Sequence, residues 1–141
     1  MFLGILFLGA CSDKATDNAA SENTASGRWY TQSQVSQGKL VFQKHCAECH
    51  GINAEGTREW RKTLPDGNYP PPPLNGTAHA WHHSLSVLRR SIYNGGIPLG
   101  GTMPAFADRL DGREIDAAIA YFQSKWNQEI YEAWLQRGGL K

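Results

Sequence analysis

Long apolar runs are missing from this chain. The longest, from Phe2 to Leu8, is interrupted by Gly4 and falls far short of the roughly 20 residues that a membrane-spanning helix needs. An excess of either charge is missing too. Lys and Arg number 14 against 13 Asp and Glu, for a formal net charge of +1, which argues against nucleic acid or a strongly charged membrane surface as the main partner. No stretch alternates apolar and polar residues with period two, so a sheet protein is not expected. No acid–base constellation points to catalysis, and an enzyme is not expected either. Cysteine and methionine are scarce, with three and two copies in 141 residues, so the place of each is informative.

Aromatic residues, by contrast, are plentiful, with five each of Trp, Tyr and Phe. They suit a packed core and equally the walls around a large, flat, apolar cofactor. The length fits one domain with an appendage better than two domains.

Residues 1–10 read as an export signal. Their short apolar run ends in the small residues Gly9 and Ala10, directly before Cys11, as a signal-peptidase site requires. Leu8-Gly9-Ala10-Cys11 also resembles the lipobox of bacterial lipoproteins, which implies a lipid on Cys11 and an exported, periplasmic, membrane-anchored protein. No Lys or Arg precedes the run, so the natural start is expected to lie upstream. Residues 11–28, rich in Ser, Ala, Thr, Asn and Asp, cannot bury a core and read as a flexible tether. Residues 29–141 are the folded domain.

Three helices are expected there. The first covers Thr31 to Cys46, with Thr31 and Gln34 spaced as a capping box and Val35, Leu40, Val41 and Phe42 available for burial. The second covers Ser84 to Tyr93, with Leu85, Leu88 and Ile92 on one face and a left-handed stop at Asn94-Gly95. The third runs from Arg113 to about Trp134, with Asp111 as cap, Glu114 in its first turn and Ile115, Ala118, Ile119, Phe122 and Trp126 along one face. The expected class is all-α, with long loops. One of these, Gly51 to His83, contains Pro70-Pro71-Pro72-Pro73, which favours an extended polyproline path. Loops this long between few helices suggest that something non-protein fills the middle.

Cys46-Ala47-Glu48-Cys49-His50 is the pattern of covalent haem c attachment. Two thiols three residues apart near a helix end can each form a thioether with one vinyl group of the porphyrin, and the histidine that follows projects under the iron. A zinc site, a redox dithiol and a disulfide would use the same string. Zinc needs further ligands, which His79, His82 and His83 would supply, and a dithiol of the thioredoxin kind needs strands. The second ligand of a haem iron would be Met, His or nothing. Apart from Met1, the only methionine is Met103, in Gly100-Gly101-Thr102-Met103-Pro104. The glycines allow a close approach to a haem face, and Pro104 biases Met103 toward an extended backbone.

At this point the sequence resembles class I cytochrome c. Gly38 and Phe42 match the family's small and aromatic positions on the first helix, and Tyr121 matches the aromatic position on the last helix that crosses it. Pro72-Pro73-Leu74-Asn75-Gly76 is similar to the turn whose proline carbonyl accepts a hydrogen bond from the proximal histidine, which implies that role for Pro72. The resemblance also implies axial ligation by His50 and Met103 and a propionate contact from Trp81, in the cluster His79, Trp81, His82 and His83. His45 is expected to be exposed, and Arg89 and Arg90 to form a solvated helix face. The segment from Glu55 to Pro71 is longer than in the shortest family members.

The function expected from all this is one-electron transfer between exported or membrane-bound redox proteins, with one covalent haem c as cofactor. Two alternatives stand beside it. One is a haem-based sensor or catalytic cytochrome in which the distal ligand leaves the iron. The other is a copper-handling lipoprotein that uses His79, His82 and His83.

Overall fold

The computed structural model describes residues 27–141. The expected export signal, Cys11 and the tether up to residue 26 lie outside the described residues. The rest is all-α: helices α1 (Gln32–His45), α2 (Ala47–His50), α3 (Leu85–Asn94), α4 (Gly112–Gln123) and α5 (Gln128–Gln136), with 3-10 turns at His79–His82 and Ile97–Leu99.

Helix α1 starts where its capping box places it. Thr31 Oγ1 accepts from Gln34 N at 3.1 Å while Gln34 Oε1 accepts from Thr31 N at 2.9 Å. Helix α4 has the same device, formed by Asp111 and Glu114. Each box satisfies main-chain donors that a helix start otherwise leaves bare. The two helices then cross. A Cβ at Gly38 would run into the Ala117 carbonyl, so glycine is what lets the backbones meet. One turn on, Phe42 packs against Tyr121 with ring centroids 5.1 Å apart, and both rings are buried. Burying a side chain of this size contributes roughly 1.5–3 kcal/mol.

Three expectations need correction. Leu40 is 69% exposed; it lies two residues from both Gly38 and Phe42, on the opposite side of α1. The expected long third helix is two helices. Its apolar spacing continues through Trp126, but the chain breaks after Gln123. Asn127 then caps α5, its side chain accepting from Ile130 N at 2.8 Å, a bond available only if the helix restarts there. Trp126, released from the helix, is buried and donates its indole N–H to Leu74 O at 2.8 Å. The helix that crosses α1 is therefore not the last. The stop after α3 also differs: Gly95 has φ 76° but ψ 178°, an extended rather than left-handed helical conformation.

Helix α5 adds a layer behind the 79–83 turn. Trp134 donates its indole N–H to His83 O at 2.8 Å, and Leu85 N donates to Gly139 O at 2.7 Å. The N-terminal strand of chain joins the same layer, where Trp29 N donates to Tyr131 Oη and Trp29 Nε1 to the buried Gln123 side chain.

Candidate functional site

Cys46 is both the last cap of α1, its N–H donating to Phe42 O, and the first of α2. The single turn of α2 is closed by His50 N donating to Cys46 O at 2.9 Å. The turn leaves Cys46 half-buried against the core, Cys49 exposed and His50 buried. No disulfide joins the two thiols. Burial, then the neighbouring Cys49, pushes the Cys46 thiol up to about 11, so it stays protonated near neutral pH. Reactive dithiols show the opposite shift, so the buried surroundings of Cys46 do not favour a redox dithiol.

His50 Nδ1 lies 2.9 Å from the Pro72 carbonyl oxygen. A carbonyl only accepts, so Nδ1 carries the proton. Burial lowers the His50 pKa, outweighing the opposing effect of that hydrogen bond, and the ring is neutral at pH 7. The Nε2 lone pair is thereby left free for a metal, the tautomer that an iron ligand needs.

The loops that bring Pro72 to His50 are tied in several places. Ala54, itself at φ 61°, accepts at its carbonyl from Leu74 N at 2.8 Å and Asn75 N at 3.1 Å. Gly56 N donates to His50 O at 2.6 Å. Gly56 adopts φ 59°, and a Cβ there would strike the Pro72 carbonyl group, so position 56 demands glycine twice over. Tyr121 Oη donates to Ile52 O at 2.9 Å.

Met103 is half-buried against the core cluster. Its loop is closed by main-chain bonds, Gly96 N to Met103 O at 2.9 Å and Gly101 N to Gly96 O at 3.0 Å. Trp81 is half-buried, its ring edge-on to His82 at 4.1 Å and 5.1 Å from the Arg137 guanidinium. The indoles of Trp29, Trp126 and Trp134 spend their N–H on protein acceptors, whereas no described residue accepts from Trp81 or Trp60.

The histidine cluster is dispersed. His79 stacks on Trp60, with centroids 4.9 Å apart, and meets His83 edge-on at 5.4 Å, while His82 turns to solvent. Among the described residues no group of three or more His, Cys, Asp or Glu side chains is placed to hold a metal ion. The zinc reading, which drew further ligands for the cysteines from His79, His82 and His83, and the copper reading, which used the same histidines, gain no support from this arrangement. His45 is half-buried rather than exposed, edge-on to Phe106. Arg89 is not merely solvated: it grips Asp116 of α4 in two hydrogen bonds of 2.6 and 2.8 Å. Arg90 is exposed, as expected of a solvated face.

Sequence reasoning missed the anchoring carbonyl of Ala54 and the contacts of residues 57–69. Tyr69 N donates to Gly100 O at 3.1 Å, and Tyr69 pairs in parallel with Gly101. Main-chain bonds of this kind leave no residue-type signature.

An all-α domain that carries two thiols, a neutral imidazole with one nitrogen committed, and a thioether on a glycine loop has the donor set of a c-type cytochrome. Comparison with known proteins agrees. The chain belongs to the family described as cytochrome c oxidase, cbb3-type, subunit III, whose profile matches residues 33–122. It is 31% identical over 109 residues to a cbb3-type cytochrome c oxidase subunit CcoP of Azospirillum sp. (strain B510), covering 77% of this chain and 33% of that one. It is 34% identical over 91 residues to cytochrome c6 of Bryopsis maxima, covering 64% of this chain and 91% of that one. The chain thus spans about a third of the length of the oxidase-subunit relatives. No solved structure matches it. The protein is a c-type cytochrome, and its cofactor is one covalently bound haem c.

Proposed function

We propose that the chain carries single electrons on a haem attached through Cys46 and Cys49, with His50 Nε2 and the Met103 thioether as the two iron ligands. The observation that carries this reading is the 2.9 Å contact from His50 Nδ1 to Pro72 O, which orients the ring and leaves the other nitrogen free. When bound, the haem iron supplies a one-electron couple, and a methionine ligand raises its potential relative to a second histidine. The residues around it position and shield. Pro72 holds the imidazole, the Gly96–Gly101 turn presents Met103, and the unused Trp81 indole is suited to donate to a propionate.

The electrons pass between exported or membrane-bound redox proteins. Relatives named as cbb3-type oxidase subunits favour a respiratory oxidase on one side, with an exported dehydrogenase a suitable donor. No helix among the described residues is long and apolar enough to cross a membrane. In this reading the anchor is a lipid on Cys11, the residue that ends the lipobox-like run.

Spectra of the full chain, expressed in a host that matures haem c, test the reading. Haem should stay attached after denaturation, and the ferric protein should show the far-red charge-transfer band of methionine ligation. Met103→Ala should lose that band yet keep its haem. A wild-type protein without the band, binding carbon monoxide readily when reduced, would replace the carrier by a haem-based sensor. Failure to attach haem would remove the proposal altogether.

A further inference from the structure

The geometry points to residues 57–69 as a strap that holds the Met103 loop in place, with the Tyr69 main-chain N–H as the positioning group. This inference rests on the reading of Met103 as the second ligand. At its start the strap is tied to the proximal side, through Gly56 N to His50 O at 2.6 Å and Thr57 N to Pro71 O at 2.8 Å. At its end it is tied to the distal side, through Tyr69 N to Gly100 O at 3.1 Å. Between these ends it turns back on itself, with Leu64 N donating to Asn68 O at 2.8 Å, and Trp60 stacks on His79. Most of it is otherwise exposed, so it contributes little core.

From Tyr69 a short run of main-chain bonds leads to the ligand. Gly100 accepts from Tyr69, the adjoining Gly101 donates to Gly96, and Gly96 donates to Met103 O. A loop built on Gly95, Gly96, Gly100 and Gly101 has large conformational entropy to lose. One bond from outside the loop therefore removes freedom that the loop's own sequence does not. Tyr69 is 52% exposed, and its tie to the loop is made by its main-chain N–H. Loosening this contact should weaken the hold of Met103 on the iron without disturbing His50.

The test uses the full haem-loaded chain in the ferric state, titrated with imidazole, which competes with the methionine. Tyr69→Pro removes the N–H together with the ring, in a backbone that the following Pro70 already holds extended. Tyr69→Ala keeps the N–H and removes the ring. Tyr69→Pro should bind imidazole roughly fivefold to tenfold tighter than wild type, the scale of one lost main-chain bond, and Tyr69→Ala should stay within about twofold. Equal affinities in all three proteins, with the methionine band present, would overturn the strap and leave Met103 ligation standing. A wild-type protein lacking the band would overturn both.

Amide exchange in the wild type covers the case in which Tyr69→Pro fails to fold. Coupling is reciprocal, so the Tyr69 amide should exchange faster once imidazole has displaced Met103. Unchanged protection would overturn the strap.

Discussion

In the proposed ligation, with His50 as the proximal ligand and Met103 as the distal one, the two sides of the site are built differently. On the proximal side, His50 is 7% exposed, and the loops around it are pinned by side chains from distant parts of the chain. Tyr121 of α4 reaches Ile52 O, and Trp126, beyond α4, reaches Leu74 O. On the distal side Met103 is half-buried, its loop is closed by main-chain bonds, and nearby Leu99 is 84% exposed. A ligand pinned from several elements moves only if the core moves. A ligand on a glycine loop moves when one or two main-chain bonds open, at a cost nearer to local than to global unfolding. In the proposed ligation the His50 bond would thus be the permanent one and the Met103 bond the adjustable one, which makes the Met103 loop the place to tune potential and access.

Glycines offer the sharpest way to break that comparison. Gly56→Val would combine a left-handed backbone with a clash into the Pro72 carbonyl group, and a loss of at least about 3 kcal/mol in urea unfolding of the haem-loaded protein is expected. Gly100→Ala shares the positive φ but meets nothing within 4 Å, so only backbone strain of about 1 kcal/mol is expected. Comparable losses at the two positions would mean that the two sides are equally rigid.

A subtler change sharpens the same contrast. Tyr121→Phe removes the bond to Ile52 O and leaves the ring packed on Phe42. A loss of about 1 kcal/mol in stability, with imidazole affinity for the ferric protein unchanged, would place this tyrosine wholly on the proximal side. A change in imidazole affinity instead would show that the proximal loop also governs the distal ligand.

The parts of this design legible in the sequence were those written in residue types at fixed spacing. Thr31 with Gln34 and Asp111 with Glu114 announce helix starts because a capping box is local chemistry. The haem c cofactor was legible for a similar reason, since the spacing of Cys46, Cys49 and His50 is the pattern its attachment needs. The α4–α5 break was hidden because Phe122, Trp126 and Trp134 continue an apolar pattern that a tertiary bond to Leu74 overrides. The dispersal of His79, His82 and His83 was hidden as well, since adjacency in sequence does not say which way a ring points. The 57–69 strap was illegible because its ties are made by backbone atoms that every residue has.

Acid should bring out the smallest effect, at the strap's side-chain contact. His79 stacks on Trp60 and faces His83, with His82 and Arg61 also near enough to act on its charge. Burial first, then these neighbouring positive charges, lowers its pKa below the ordinary value of 6.5, and burial lowers that of His83 in the same direction. A histidine with a depressed folded pKa takes up protons more readily when unfolded. Its contribution is therefore intact above the ordinary value and is lost as pH falls through 6.5 toward the lower folded value. Between pH 7 and pH 5 the thermal midpoint of the wild type should accordingly fall, and that of His79→Gln should fall less, with His83 keeping the variant from becoming flat. Both rings are substantially solvated, so the difference should be small. Parallel midpoint curves for the two proteins would show that the Trp60–His79 contact does not feel the proton and that the strap is held by its backbone alone.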